Sequence, residues 1–478
     1  MKRKHTIFVL VGVMAVAAAV TGWWWWSAGA ERAEVAAALP ILPDLSEAPG
    51  EMRERITAAD TRARNRPGAL NGLSELAQLY HANGFLEEAM SCYSGLERLE
   101  PRDARWIHLH ATILAGFGEA EPALELWRRT LELTPEYVPA RLRMADCLLK
   151  ANRPDEAAAA YEAVLKLDGE DAYAKLGLAR IDFEAGNWKK ARDRLEAVVA
   201  QTNYQLGYDL IVTLYERLGL EDRARAIRGA ASASGAYRDA PDPWLDSLID
   251  YCFEPFRLTL TAGVMAGQGD RETAQRLLER AIELAPNDVG PRFQLGTLAV
   301  AKGDAKLATE QLERCTILNP EFADGWAHLS SLQARQGNTV AAERTLATGL
   351  KNCPQSPGLH LMRARNLRAA ARIEEAISEY KISARLRPNE PDAYLELGNM
   401  YIEVNRESEG IAQIQAALQA EPGNPSALSV LAYHAITQAS EIEAKKWMTD
   451  VKNQPRVKSD TVAALTRAYR ERFGREFQ

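Results

Sequence analysis

The amino-acid sequence predicts an all-α fold, a superhelical solenoid of about eleven helix-turn-helix repeats preceded by a single transmembrane helix. Three observations support this prediction. Small residues recur every 34 positions along most of the 478-residue chain, helix-terminating residues recur with the same period, and a long uncharged stretch follows a basic N-terminus. Alanine is also abundant, whereas the strand-favouring residues Val, Ile and Thr are thinly scattered.

Two series of small residues define the repeat. The first series has a 34-residue step in each half of the chain and comprises Ala89, Ala123, Ala157, Ala191, Ala274, Ala308, Ala342, Ala376, Gly410 and Ala444. The second lies twelve residues earlier and comprises Ala77, Ala111, Ala145, Ala179, Ala262, Gly296, Ser330, Ala364, Gly398 and Ala432. Two helices of about three turns, a turn and a linker fill such a repeat. Each repeat is therefore predicted to be a hairpin whose helices cross closely at the small residues.

The ends and turns of the predicted helices follow the same period. Helix-terminating residues lie twelve positions after the first series and comprise Pro101, Pro135, Gly169, Asn203, Pro286, Pro320, Pro354, Pro388 and Pro422, with Arg456 in the last repeat. Glycine adopts the left-handed backbone conformation at little cost. The glycines predicted to form the turn inside a hairpin are Gly84, Gly118, Gly186, Gly219, Gly269, Gly303 and Gly337.

This pattern resembles the tetratricopeptide repeat (TPR). In the first copy the resemblance is carried by Leu73, Leu76, Ala77, Tyr80, Ala89, Tyr93 and Pro101. It extends over about eleven copies, from Leu70 to near Arg456. The resemblance implies a protein-binding scaffold without enzymatic activity, in which the first helix of each repeat lines a concave face. The partner-binding residues that it implies are Tyr173, Arg180, Phe183, Phe293, Arg365, Arg368 and Asn399.

The chemistry of these positions leaves the partner open. Arg365, Arg368 and Asn399 could pair with an acidic segment through charge-assisted hydrogen bonds, or they could form a solvated helix face. No three consecutive repeats reproduce the Lys and Asn set with which TPR co-chaperones grip a C-terminal carboxylate. We expect the concave face to bind a peptide segment of another exported protein. The alternative is an accessory or assembly subunit of a membrane enzyme or envelope export complex.

The repeats organise the chain into two arrays with additional segments around them. The predicted parts are a basic tip and membrane segment (1–30), a spacer (31–50), an N-terminal capping helix (51–69), a first array of about five repeats (70–228), an insertion with a short helix (229–254), a second array of six repeats (255–456) and a C-terminal capping helix (457–478). Solenoids need such caps because their outermost repeats would otherwise expose apolar faces.

The insertion between the arrays has two interpretations. Trp244, Leu248, Ile249 and Cys252 have helical spacing, and Asp242 is placed to cap a short helix. This helix could be a plug that covers apolar surface at the fifth repeat, whose second helix departs from the pattern. It could instead be a specialised contact for a partner.

The first 30 residues predict a membrane segment. Three basic residues (2–4) precede an uncharged stretch (6–30) that begins with Ile7 and Phe8 and contains four tryptophans, Trp23, Trp24, Trp25 and Trp26. The basic side orients the N-terminus to the cytoplasm and the body to the periplasmic side. A cleaved signal peptide is the alternative, because residues 28–30 have a small-x-small form. The tryptophans favour a retained single-pass anchor, and both alternatives export the body.

Composition excludes several other functions. The formal net charge is −7, and the Lys and Arg residues form no strip that could neutralise phosphates, so nucleic acid is not an expected partner. Five widely separated cysteines and seven histidines show no metal-ligand spacing. We therefore expect no catalytic residues, no metal and no cofactor, and we expect the cysteines to be small buried core residues.

Overall fold

A computed structural model describes residues 32–65, 68–202, 204–234, 240–454 and 457–477. The chain divides into two compact units, 1–254 and 255–478. Within these described ranges every regular element is a helix. The all-α solenoid of helical hairpins is thereby confirmed.

Unit 1 contains a capping helix, five hairpins and a short helical segment. The capping helix is α1 (Gly50–Arg64). The hairpins are α2 (Ala69–Ala82) with α3 (Leu86–Leu99), α4 (Ala104–Gly116) with α5 (Ala120–Leu133), α6 (Val138–Lys150) with α7 (Pro154–Leu167), α8 (Ala172–Glu184) with α9 (Trp188–Gln201), and α10 (Gln205–Arg217) with α11 (Glu221–Ser234). The segment is α12 (Pro243–Asp246), continued by a 3₁₀ turn (Ser247–Tyr251).

Unit 2 contains six hairpins and a final helix. The hairpins are α13 (Pro255–Gln268) with α14 (Arg271–Leu284), α15 (Val289–Lys302) with α16 (Ala305–Leu318), α17 (Ala323–Arg335) with α18 (Thr339–Asn352), α19 (Pro357–Ala369) with α20 (Ile373–Leu386), α21 (Asp392–Glu403) with α22 (Glu407–Ala420), and α23 (Pro425–Thr437) with α24 (Glu441–Asn453). The final helix is α25 (Ser459–Phe473).

The small-residue series mark the helix crossings, as the sequence predicts. Every member of both series is buried, because a larger side chain there would hold the two helices apart. The hairpin α21–α22 has glycine on both sides of its crossing, where Gly398 faces Gly410. A Cβ atom added to Gly410 would lie 2.8 Å from the carbonyl oxygen of Gly398.

Each hairpin turn contains one residue with positive φ. The seven predicted glycines all adopt this conformation. In the other four hairpins the residue is Asn152, Ala371, Asn405 or Ala439, with φ between 56° and 62°. The turn geometry is therefore kept even where the sequence lacks glycine, since the packing of the two helices fixes the connection. Alanine is costly in this region because its Cβ approaches the following carbonyl oxygen.

Residues 32–50 differ from the predicted spacer. Residues 32–38 are helical, and the side chains of Val35, Ala38 and Leu45 are buried. Ala38 packs directly against Gly95 of α3, and Arg98 of α3 pairs with Glu34 at 3.2 Å. Three prolines suggested an extended linker, but the apolar side chains at 35 and 38 share one helix face and bury it on the repeats.

Helices cover both ends of the described repeats. The apolar stripe of α1, formed by Met52, Ile56, Ala59 and Ala63, is buried. In α25 Leu465 and Tyr469 are buried, and the Tyr469 hydroxyl donates to Glu441 of α24 at 2.9 Å. Both helices bury apolar side chains that would otherwise face water.

The predicted membrane segment, including Ile7, Phe8 and Trp23–Trp26, lies outside the residues that the structure describes. Among the helices of the described ranges, none combines the length and the apolar character that crossing a bilayer requires.

Candidate partner-binding groove

The first helices of the five hairpins of unit 1 (α2, α4, α6, α8 and α10) carry two adjoining features. One is a stretch of the chain itself, residues 240–253, which we call the inner segment. It packs on α2 and α4 and contacts the start of α6. The other is an open cleft farther along the same helices. The inner segment is the second part of the predicted insertion (229–254), whose first residues belong instead to α11 (Glu221–Ser234). It covers the first three repeats and not the fifth.

Asp242 anchors the inner segment in a buried cluster of donors. Its carboxylate accepts hydrogen bonds from His108 Nε2 at 2.9 Å, the Tyr137 hydroxyl at 2.7 Å and Arg143 Nε at 2.6 Å. It also caps α12 by accepting from the backbone N–H of Leu245. Burial alone would raise the pKa of Asp242, but the His108 hydrogen bond, the Arg143 charge and the Tyr137 hydroxyl hold that pKa well below its ordinary value. The carboxylate is therefore ionised and fully partnered.

A further hydrogen bond fixes the proton on His108. The indole Nε1–H of Trp127 donates to His108 Nδ1 at 3.2 Å, so Nδ1 must be the acceptor nitrogen. The ring proton then lies on Nε2 and points to Asp242. Trp127 and His108 are both buried beneath the inner segment. The second repeat therefore presents a preset donor to the carboxylate.

An aromatic stack holds the next part of the inner segment. The rings of Trp244 and Tyr137 are parallel within 16°, with centroids 3.7 Å apart. The edge of His108 lies against Trp244, with centroids at 5.6 Å. The backbone N–H of Trp244 also donates to the Tyr137 hydroxyl at 3.2 Å. Tyr137 thus contacts a ring, a carboxylate and a backbone amide.

The last part of the inner segment is held through its backbone and through buried side chains. The Asn83 amide donates to the carbonyl oxygen of Tyr251 and accepts from the N–H of Phe253, both at 2.8 Å. Arg55 of α1 donates to the carbonyl oxygen of Asp250 at 3.1 Å, and its guanidinium lies 4.8 Å from the centroid of the Tyr251 ring. Leu248 and Cys252 between these contacts are fully buried.

The open cleft lies between α4, α6, α8 and α10 and has a volume of about 300 Å³. We call it the tyrosine cleft, and its lining includes Tyr161, Tyr173, Tyr204, Arg143, Asp146, Lys150, Arg180 and Leu206. Two of the predicted partner-binding residues, Tyr173 and Arg180, are therefore brought together here. The third predicted residue in unit 1, Phe183, packs on Trp188 and under Arg217.

Asp146 holds the tyrosines of the cleft in place. Its carboxylate accepts from the hydroxyls of Tyr161 and, at 2.8 Å, of Tyr173. Burial and the neighbouring Asp146 charge together raise the pKa of Tyr161, which stays protonated as a donor. The Tyr173 and Tyr204 rings meet edge to face with centroids 6.2 Å apart. The cleft wall is therefore a fixed set of rings.

The cations of the cleft outnumber its carboxylates. Arg143, Lys150 and Arg180 line it, whereas Asp146 is the acidic residue of the lining. Asp146 receives two tyrosine hydroxyls, and Arg180 pairs with Glu184 at the surface at 3.0 Å. Arg143 also pairs with Asp242 of the inner segment at 2.6 Å, so an anionic segment bound here would meet Lys150 and would share the two arginines with Asp242 and Glu184.

The predicted candidates of unit 2 do not form one site. Phe293 packs edge to face on Phe322 and His328, with centroids at 5.0 and 4.8 Å. Arg365 forms a bidentate pair with Glu396 of the next hairpin, and Arg368 pairs with Glu403 of that hairpin. Asn399 is exposed and lines a separate apolar groove of about 440 Å³ beside Tyr433. The two arginines bridge neighbouring repeats, since acidic residues 31 and 35 positions later lie opposite them.

Sequence reasoning missed most residues that hold the inner segment. Tyr137 is the N-cap of α6, Arg143 lies in the middle of that helix, and Asn83 lies in the turn after α2. The types and repeat positions of these three residues give no signal of a binding role. One signal was available, because Asp242 and Trp244 flank Pro243 in a stretch that breaks the 34-residue period.

Models of the "Tetratricopeptide repeat" family match parts of both units. One matches residues 114–161 and 148–203, and a second matches residues 293–357 and 361–434. These matches cover hairpins whose helices the structure defines. The chain contains tetratricopeptide repeats. The TPR matches in unit 1 include most of the tyrosine cleft.

Several curated proteins are similar over most of the TPR region. The human "DnaJ homolog subfamily C member 3" is 21% identical over 355 residues, which are 74% of this chain and 60% of that protein. The "Cellulose synthase operon protein C" of Xanthomonas axonopodis is 25% identical over 67% of this chain and 22% of that protein. The "TPR repeat-containing protein YpiA" of Bacillus subtilis is 22% identical over 75% and 66%. The chain thus spans less than two thirds of the length of each.

Solved structures that match this chain include yeast Tom70, with a TM-score of 0.39 and 14% identity over 84% of this chain and 95% of that chain. Another is pilF of Pseudomonas aeruginosa, with a TM-score of 0.37 and 15% identity over 44% and 95%.

Proposed function

We propose that this TPR protein is a membrane-anchored scaffold that binds an acidic segment of another exported protein in the tyrosine cleft of unit 1. The observation that carries the proposal is the position of the cleft. It adjoins the start of the inner segment through Arg143, which lines the cleft and also donates to Asp242. TPR proteins bind protein partners, and the cleft combines fixed aromatic rings with free volume.

The cleft has the properties of a peptide site. Rigid tyrosines supply contact area at a small cost in side-chain entropy, because hydrogen bonds to Asp146 already fix two of them. Leu206 at the rim is 37% exposed and offers apolar contact. Arg143, Lys150 and Arg180 favour carboxylates on the bound segment. The expected ligand is an extended acidic segment with one or two apolar side chains.

The anchor is part of the proposal on the strength of the sequence. Basic residues precede the uncharged stretch 6–30, and four tryptophans lie near its end, as at a membrane boundary. This arrangement would hold both units outside the cytoplasm. The partner would then be another exported or membrane protein.

Site-specific photo-crosslinking tests the proposal. A benzophenone amino acid replaces Leu206 in the cleft, and in a matched control it replaces Leu167, which is 49% exposed at the end of α7 and does not line the cleft. Both full-length variants are expressed in the source cells and irradiated. We expect one defined adduct from position 206, mapped to an acidic segment, and none from position 167. Equal adducts from both positions, or none from position 206, would remove the cleft as the binding site.

A further inference from the structure

We propose that the inner segment is an internal ligand, and that the surface beneath it binds a partner segment with a carboxylate two residues before an aromatic ring. This inference deepens the proposed function by adding a second binding surface on unit 1. The surface is formed by α1, α2, α4 and the start of α6. Its occupant in the structure is the chain's own Asp242-Pro243-Trp244 sequence and the residues that follow.

The contacts at the end of the inner segment combine backbone hydrogen bonds with the buried side chains of Leu248, Cys252 and Phe253. Asn83 pairs with one carbonyl oxygen and one N–H two residues apart, and Arg55 donates to another carbonyl oxygen. Asp250 and Tyr251 belong to the 3₁₀ turn Ser247–Tyr251, so an outside segment must adopt the same turn to present these backbone groups. Backbone contacts of this kind give affinity, whereas pockets for particular side chains give specificity.

The contacts at the start of the inner segment supply that specificity. Three side chains converge on one carboxylate, and one of them, His108, is oriented by Trp127 from below. The Tyr137 ring provides a platform for an aromatic side chain next to this carboxylate site. A segment with the pattern acidic-x-aromatic would satisfy both sites. A segment without the carboxylate would leave the buried donors unpaired.

Covalent attachment makes the inner segment a competitor for any outside segment. Its effective concentration is on the order of 1 mM for a short connection. If the inner segment has an intrinsic Kd of about 100 µM, an outside peptide would bind the wild-type chain roughly tenfold more weakly than a chain whose inner segment cannot dock. Weakening the inner segment should expose this binding.

The test uses a fluorescein-labelled synthetic peptide of residues 240–254 and the full-length chain in reducing buffer. The host carries Asp242→Asn and Trp244→Ala, which remove the carboxylate and the ring of the inner segment. Fluorescence anisotropy measures peptide binding to the host and to the wild type. A peptide with the same two substitutions is the matched control. We expect the host to bind the unmodified peptide at least tenfold more tightly than the wild type does, and the control peptide at least tenfold more weakly than the unmodified one.

A thermal measurement separates an internal ligand from a fixed structural part. Saturating peptide should raise the melting temperature of the host towards that of the wild type, since a ligand that binds only the folded state stabilises it. If the host loses its helical circular dichroism, the single variant Asp242→Asn serves instead. A folded host that binds neither peptide, or that binds both equally, would overturn the inference. Crosslinking from position 206 does not depend on this result, so failure here leaves the tyrosine cleft under separate test.

Discussion

The repeat pattern and the structure predict opposite effects of Gly410→Ala on the stability of the protein. Nine of the ten members of the first small-residue series are alanine, so the repeat pattern alone predicts that Gly410→Ala restores the common residue. Alanine would also gain about 0.5–1 kcal/mol of helix propensity. The structure predicts a loss. The added Cβ would lie 2.6 Å from Cγ1 of Ile402, 2.8 Å from the carbonyl oxygen of Gly398 and 3.2 Å from the backbone nitrogen of Ile402.

The size of this loss of stability depends on which atoms the added Cβ would contact. Two of the three are backbone atoms of α21, which cannot rotate away as a side chain can, so the helices must separate. Overpacking costs about 1–3 kcal/mol, and backbone contacts place this case near the upper end. Subtracting the propensity gain leaves a net loss of about 2 kcal/mol. In a unit of this size each kcal/mol lowers the melting temperature by about 2–4 °C, so we expect a decrease of about 4–8 °C.

Urea denaturation and calorimetry of the full-length chain measure this change. Gly263→Ala in α13 is the matched control, since its Cβ would meet only a Gln294 side-chain oxygen at an ordinary 3.6 Å. The control should be stabilised by about 0.5–1 kcal/mol. If Gly410→Ala proves as stable as the wild type or more stable, the close helix crossing at Gly398 and Gly410 is refuted.

Three further predictions follow from single contacts. Ala371→Gly should stabilise unit 2 by about 0.5–1 kcal/mol in urea denaturation, because Ala371 is exposed and has a φ of 57°. The control Ala370→Gly, at a φ of −84°, should destabilise the unit. Equal effects of the two substitutions would contradict the assigned turn. Folding lowers the pKa of Asp242, so its carboxylate stabilises the protein above its ordinary pKa of 3.8 and loses this effect as the pH falls below that value. The difference in free energy of unfolding between the wild type and Asp242→Asn should therefore be largest at pH 7 and decrease on acidification. A difference that stays constant with pH would contradict this assignment. A double-mutant cycle between Arg365 and Glu396 should give a coupling free energy of less than about 1 kcal/mol, since the Arg365 side chain is 54% exposed. A larger coupling free energy would show that this ion pair holds the two repeats together.

The repeats were predictable because their physics is local and periodic. A small residue at a helix crossing and a terminator after the second helix recur at fixed spacing, and both series are buried where the pattern placed them. The positive φ of Ala371 and Ala439 was not predictable, because neither residue favours it. It is set by the packing of the two helices that the turn connects. Residues 32–50 were misjudged because three prolines outweighed the two apolar residues at 35 and 38 that fix the segment on α3.

The sites were less predictable than the fold. Tyr173 and Arg180 were chosen from the repeat register, and both line the tyrosine cleft. The same repeat positions predicted Arg365 and Arg368 as binding residues, but they did not predict the ion pairs of these arginines with Glu396 and Glu403. The inner segment joins Asp242 to His108, 134 positions apart. No spacing rule relates two such positions, because they meet only where the inner segment packs back on the second repeat.

The most direct measurement of partner binding is calorimetric titration of the segment identified by crosslinking from position 206. Three full-length proteins are compared: the wild type, Arg180→Glu in the cleft and Arg192→Glu on α9, whose arginine does not line the cleft. An acidic segment bound in the tyrosine cleft predicts at least a tenfold loss of affinity for Arg180→Glu and an unchanged affinity for Arg192→Glu. Equal affinities for all three proteins would contradict binding in this cleft.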